Sequence, residues 1–222
     1  MKIKSLKLWA TDLDTLAAFY RDTLGLIVSA RAGRFEAYVG YTRLAFHQAE
    51  ADENQAKYRA YHFAINIPEN QFAEGKAWLA QRVPLIQDRD NTSTFDFLSW
   101  NAHACYCYDP AGNILELIAR HSLDCAATQP FSARSLLGVS EIGLVTDDVR
   151  GSANQLCQKF GLGVYDGAGS EAFAAVGDEH GLFIVVKRGR EWFPDTGKLA
   201  ASSRFTLAFE LNGETHSWEA HG

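Results

Sequence analysis

Two strand-borne residues in this sequence carry chemistry that their neighbours do not explain. In YHFAINI, residues 61–67, alternation places His62 on one strand face with Ala64 and Asn66. In ILELI, residues 114–118, it places Glu116 on a face with Ile114 and Ile118. A carboxylate on an otherwise apolar face needs a partner, because burying it unpaired is costly. A divalent metal is one such partner. The alternative is internal: a hydrogen-bonded core histidine at 62, and an arginine paired with Glu116. Spacing alone favours the internal arrangement.

The elements that must position these residues are legible from periodicity. Residues 3–10 read as a strand, and a helix follows with Leu16, Phe19, Tyr20 and Leu24 at helical spacing, Asp12 or Asp14 as its cap and Gly25 as its left-handed stop. Phe35–Val39 and Arg43–His47 form a hairpin about Gly40. The same order begins again at Tyr61. A strand is followed by a helix carrying Phe72, Leu79 and Val83, then by strands at 95–98, 104–108 and 114–118, the last entered through the dense turn Asp109-Pro110-Ala111-Gly112-Asn113.

Residues 121–136 lack periodicity and read as a linker. Beyond them the pattern repeats: TDLDTLAAFYRDTLGL aligns with DDVRGSANQLCQKFGL, pairing Asp12 with Asp148 and Gly25 with Gly161, and AYVGYTRLAF aligns with AAVGDEHGLF after one inserted residue. RFTLAFEL, residues 204–211, is the counterpart of YHFAINI and has Thr206 where the first half has His62. A duplication follows, with 1–120 a complete two-module domain and 137–222 a diverged, truncated second copy.

The segments SLKLWATDLDTLAAFYRDTLGL, YHFAINIPENQFAEGKAWL and CYCYDPAGNILELI resemble the vicinal oxygen chelate superfamily, the group of glyoxalases, bleomycin-resistance proteins and extradiol dioxygenases, with DPAGNILEL as the most specific match. The resemblance implies an α+β fold of tandem βαβββ modules, the glyoxalase/bleomycin-resistance/dihydroxybiphenyl dioxygenase fold, whose curled sheet surrounds a cleft. It implies a divalent metal (Fe, Mn, Zn or Ni) held by His62 and Glu116. The third position departs from the family: where a histidine is common this chain has Ser5, and the equivalent residue of the second copy is Glu141. Modules of this superfamily also pair across a swapped interface, within a chain or in a homodimer, an arrangement that would let Glu141 converge with His62 and Glu116; the equal alternative for Glu141 is a solvated strand residue. One imidazole and two carboxylates make a hard site with open positions for vicinal substrate oxygens. The histidine set of ring-cleaving dioxygenases is incomplete.

The resemblance thus implies a metal-dependent dioxygenase, lyase or isomerase acting on a small oxygen-rich or aromatic substrate. Glu116 and Glu141 are its catalytic carboxylates, and the aromatic strand residues Tyr38, Trp100, His103 and Tyr106 are candidates to line its pocket. The rival is a metal-free, drug-sequestering relative, for which the acidic balance would suit a cationic ligand; a scaffold with a filled cleft is the third alternative. His47 ends a strand and GREWFPDTG, residues 189–197, reads as a structural loop.

Composition agrees with a globular chain: 222 residues, 47% hydrophobic and 22% charged. A net charge of −6 lacks the basic bias that a phosphate backbone requires, so nucleic acid is not expected. The N-terminal strand has neither a signal-peptide core nor the length of a membrane span, which gives a cytoplasmic expectation with no membrane partner. Four irregularly spaced cysteines form no disulfide framework or paired zinc motif. Nucleophile-elbow, Walker and dinucleotide fingerprints do not occur.

Overall fold

The computed structural model describes residues 1–49, 60–167 and 169–222. Its strands are β1 (Lys2–Ala10), β2 (Ile27–Arg31), β3 (Arg34–Val39), β4 (Thr42–Gln48), β5 (His62–Ile67), β6 (Phe95–Phe97), β7 (Ala102–Tyr108), β8 (Ile114–Arg120), β9 (Gly138–Thr146), β10 (Phe173–Asp178), β11 (Gly181–Lys187), β12 (Phe205–Leu211) and β13 (Glu214–Ala220). Helices α1 (Leu13–Ala18), α2 (Phe72–Ala80) and α3 (Val149–Phe160) follow β1, β5 and β9. The architecture is α+β, with strand, helix and further strands recurring three times.

Two sheets result, and each takes strands from both halves of the chain. One runs β13-β12-β1-β4-β3-β2 and the other β10-β11-β9-β5-β8-β7-β6. The seven-stranded sheet joins the second module of the first half to the first module of the second, through the antiparallel β5–β9 pair. One core cluster gathers the helix-covered faces of both sheets, including Leu6 and Leu8 of β1, Phe63 and Ile65 of β5, Ile142 of β9, and Leu16, Leu79 and Leu156 of the helices. A second, smaller cluster occupies the opposite face of the seven-stranded sheet, where Ala64, Ala104, Tyr106, Ile118, Leu182 and Ile184 meet Trp192.

Local chemistry explains the boundaries. Asp12, rather than Asp14, caps α1, its carboxylate accepting from the Thr15 amide at 3.0 Å, and Asp148 caps α3 through Gly151 at 2.9 Å. After Ala18 the first helix widens into a π turn, Phe19–Thr23, closed by Leu24 N–H on Phe19 C=O. Strands β2 and β13 were not apparent from periodicity, for a shared reason: both are edges of the six-stranded sheet, largely exposed, and need only backbone pairing rather than an apolar face. The counterpart of His62 in that sheet, Thr206, lies opposite Lys7, and Ser5 opposite Ala208 and Arg43, so no donor set forms there among the described residues.

The halves meet closely at the β3–β4 turn. Leu137 C=O accepts from the Tyr41 amide at 3.1 Å, and Gly40, at φ +51°, presses on the same segment: a β-carbon there would lie 2.0 Å from the Leu137 oxygen. Gly40→Ala combines a left-handed backbone with a clash against main chain that cannot rotate away. Urea denaturation is expected to show a loss of about 3 kcal/mol; a loss within about 0.5 kcal/mol, the range of neutral surface changes, would contradict this packing.

Candidate metal centre

The turn Asp109–Asn113 fixes how β8 enters the sheet. Asp109 accepts from the Asn113 main-chain amide at 2.9 Å and its side-chain amide at 2.8 Å, while Asn113 Oδ1 accepts from the Tyr61 amide at 3.1 Å. The Tyr20 hydroxyl donates to Asp109 at 3.0 Å, tying in the first module. Burial holds the Asp109 carboxyl up at about 6 despite these donors. The turn therefore sets the parallel register of β5 and β8, which places Glu116 beside Ala64.

On the other side of β5, the antiparallel pairing with β9 places Glu141 beside the same Ala64. The two carboxylates flank one small side chain on the central strand, and His62 stands two residues away on that face. Donor atoms of His62, Glu116 and Glu141 all lie within 4.8 Å of one another, and the three residues are buried. His62 Nε2 shares a hydrogen bond with Glu116 Oε2 at 2.9 Å. Arg120, fully buried four residues after Glu116, forms an ion pair with Glu141 Oε1 and donates from Nε to Asn66 Oδ1 at 3.3 Å; its guanidinium lies near the Trp100 and Tyr165 rings, 5.3 and 5.8 Å from their centroids.

Electrostatics follow from this crowding. Burial first, and then the Glu116 charge, raise Glu141 to about 7, against lowering by Arg120 and His62. Burial, followed by the charges of Glu116 and Glu141, pushes the Tyr106 hydroxyl well above its ordinary range.

The donors fit a divalent ion. One imidazole and two carboxylates are hard, oxygen-rich ligands, and the Arg120 contact on Oε1 leaves Oε2 of Glu141 open while orienting the carboxylate, as an outer-shell partner does. His62 Nδ1, the Arg120 Nη1 and the Trp192 indole N–H are buried without a hydrogen-bond partner among the described residues. The centre faces a cavity of about 410 Å³ walled by Phe97, Ser99, Trp100, Tyr106, Asp166, Phe173, Ile184, Arg190, Trp192 and Phe193.

Of the residues expected from sequence, the structure gathers His62, Glu116, Glu141, Trp100 and Tyr106 at this cavity. Tyr38 and His103 lie elsewhere. Tyr38 is on the exposed face of β3 in the six-stranded sheet, in register with Arg43 and Ser5, so it belongs to the other sheet; parity accounts for His103, which, one residue out of phase with Ala104 and Tyr106, packs beside Phe72 of α2 and bonds His121 at 2.7 Å. His47 packs with Trp9 away from the cavity. The arginine that the internal alternative assigned to Glu116 exists as Arg120, but it pairs with Glu141.

Arg120, Arg190, Trp192 and Phe193 were not singled out from sequence. The last three sit on the 188–200 loop, closed by pairing of Glu191 with Leu199. Trp192 fits over Gly143, where a β-carbon would lie 2.6 Å from its ring, and stands 5.3 Å from the His62 ring. Adjacent Trp and Phe in a loop were the available signal, because such rings need a surface to cover.

No family model and no curated protein matches the chain. Solved structures do. A candidate dioxygenase from Bacillus subtilis aligns with a TM-score of 0.58 at 16% identity, over 84% of this chain and 63% of that one. Glyoxalase I from Zea mays aligns with a TM-score of 0.50 at 16% identity, over 84% of this chain and 66% of that one. The chain thus spans a little under two thirds of the length of these proteins, and the likeness is one of fold.

A carboxyl held near 7 against an ordinary 4.5 makes stability pH-dependent. The folded state binds this proton more tightly than the unfolded chain, so the contribution is full below about 4.5 and is lost as pH rises through about 7. Asp109 acts in the same sense nearer 6 and is common to wild type and variant. In chelator-treated protein, urea midpoints of Glu141→Gln should therefore gain on wild type as pH rises from 5 to 7.5. A difference independent of pH would contradict a buried, proton-retaining Glu141.

Proposed function

Because the chain has the fold of the vicinal oxygen chelate proteins, the glyoxalase, bleomycin-resistance and dioxygenase group, we propose that it is a metal-dependent enzyme acting on a small oxygen-rich or aromatic molecule. One observation carries this reading: a buried His62, Glu116 and Glu141 cluster opening onto an aromatic-walled cavity of about 410 Å³. That volume lies within the range of small-molecule sites.

His62, Glu116 and Glu141 would hold a divalent ion, which would supply Lewis-acid polarisation to substrate oxygen. The protein does the rest by positioning. His62 and Glu116, hydrogen-bonded to each other at 2.9 Å, would have to exchange that bond for the ion, with release of any proton they share. Glu141, oriented by Arg120, has one of two roles: third ligand of the ion, or, where it stays outside the ligand set, the base that takes up a substrate proton. Phe97, Trp100, Tyr106, Phe173, Trp192 and Phe193 offer flat apolar surface to a ring and limit water at the reacting atoms.

A metal-free binding protein is the second reading, and one observation favours it: His62 already partners Glu116, and Arg120 already partners Glu141. No helix among the described residues is long and apolar enough to cross a membrane.

Metal analysis of protein purified without chelators separates the two. The enzyme reading expects about one divalent ion per chain, and a loss of affinity exceeding about 100-fold in His62→Ala/Glu116→Ala, beyond what outer-shell changes produce, with the fold intact by circular dichroism. Wild-type protein that neither retains nor takes up Mn²⁺, Zn²⁺, Ni²⁺ or Fe²⁺, yet binds planar aromatics, would replace this reading with ligand sequestration.

A further inference from the structure

Arg190 is the one cation among the residues that line the cavity, apart from the ionisable His62. It is half-buried, and its guanidinium lies 5.3 Å from the centroid of the Phe173 ring. Among the described residues its side chain makes no ion pair and no hydrogen bond, although nearly every other buried charge of the site is matched: Glu116 by His62, and Glu141 by Arg120. Burial lowers its pKa from the ordinary value with no carboxylate acting in the opposite direction. Asp166, the remaining carboxylate on the wall, is exposed and forms no ion pair with it.

A planar cation backed by an aromatic ring, desolvated on one side and without an ion pair or hydrogen bond among the described residues, presents a bidentate donor fork suited to a carboxylate. The backbone holds it there. Arg190 lies on the same closed loop as Trp192 and Phe193, with its carbonyl accepting from the Ala200 amide at 2.7 Å and its amide donating to Lys187 at 3.1 Å. The fork is thus fixed relative to the aromatic wall.

We propose that Arg190 is an anion subsite, and that the ligand is an aromatic or planar acid whose carboxylate pairs with this guanidinium while its vicinal oxygens face His62, Glu116 and Glu141. The proposal rests on the enzyme reading for the second contact only. Charge agrees with it. Around the cavity the carboxylates Glu116, Glu141 and Asp166 face the guanidiniums Arg120 and Arg190, a formal excess of one negative charge with His62 neutral. A divalent ion reverses that sign and favours an anionic ligand over a cationic one.

The test is binding of 3,4-dihydroxybenzoate and of 1,2-dihydroxybenzene to the Mn²⁺-treated full chain, followed by tryptophan quenching and calorimetry, with and without EDTA. Both probes carry the diol, and one carries the acid. Wild type is expected to prefer the acid by about tenfold or more, as a charged hydrogen bond gives. Arg190→Gln should erase the preference while leaving affinity for the neutral diol unchanged. Equal affinities in wild type, a preference that survives in Arg190→Gln, or no binding of the acid at millimolar concentration overturns the subsite. The EDTA arm reports separately on the metal: diol affinity insensitive to EDTA defeats the enzyme reading, and the acid preference and its loss in Arg190→Gln still decide the role of Arg190.

Discussion

Two carboxylates buried on either side of Ala64 are the constraint on which the rest of the site depends. With donor atoms within 4.8 Å, two full charges repel by about 3–4 kcal/mol even at an effective dielectric of 20, and each costs several kcal/mol more to remove from water. A fold can retain such a pair only by surrounding it with cations or protons. This one supplies His62 against Glu116, Arg120 against Glu141, and a proton affinity raised to neutrality at Glu141. The same pressure makes the site receptive to a divalent cation. The competition between Arg120 and an ion for Glu141 is mild, since a carboxylate has lone pairs for both.

The pair exists because the two halves of the chain share a sheet. Glu116 arrives from the first half through β8 and Glu141 from the second through β9, and among the described residues neither half alone holds the donor set. The Asp109–Asn113 turn, the Tyr20 hydroxyl and the close approach of Gly40 to Leu137 are local devices with one joint effect, which is to fix the register of three adjacent strands. A slip of one residue in any of them would send its ligand to the helix-covered face. The equivalent positions in the six-stranded sheet hold Ser5 and Thr206, so among the described residues the candidate donor set lies on one of the two sheets.

Much of this was legible in the sequence. The superfamily resemblance singled out His62 and Glu116, alternation showed Glu116 on an otherwise apolar face, and the repeat pointed to Glu141 as the residue equivalent to Ser5. Long-range pairing was less legible. Nothing local in β9 says that it will lie beside β5, and Arg120, two residues beyond the strand read at 114–118, carries no local sign that it partners a glutamate in the other half. The exposed edges β2 and β13 carry no alternation to read. Tyr38 and His103 were drawn in by residue type: parity counted from Tyr106 puts His103 on the wrong face for the cavity, and Tyr38 is on the other sheet, which only the long-range pairing decides. The 188–200 loop conveyed its turn residues clearly, but not the surface its aromatic rings would cover.

X-ray absorption at the metal edge of the Mn²⁺- or Zn²⁺-loaded protein addresses the centre most directly, because it counts donors by type. A first shell with one imidazole, carboxylate oxygens and the remainder water, losing the imidazole signal in His62→Ala, is what this arrangement of β5, β8 and β9 predicts. A shell containing two or more imidazoles, any thiolate, or only water oxygens would place the ion elsewhere and leave the buried carboxylates to Arg120 and His62 alone.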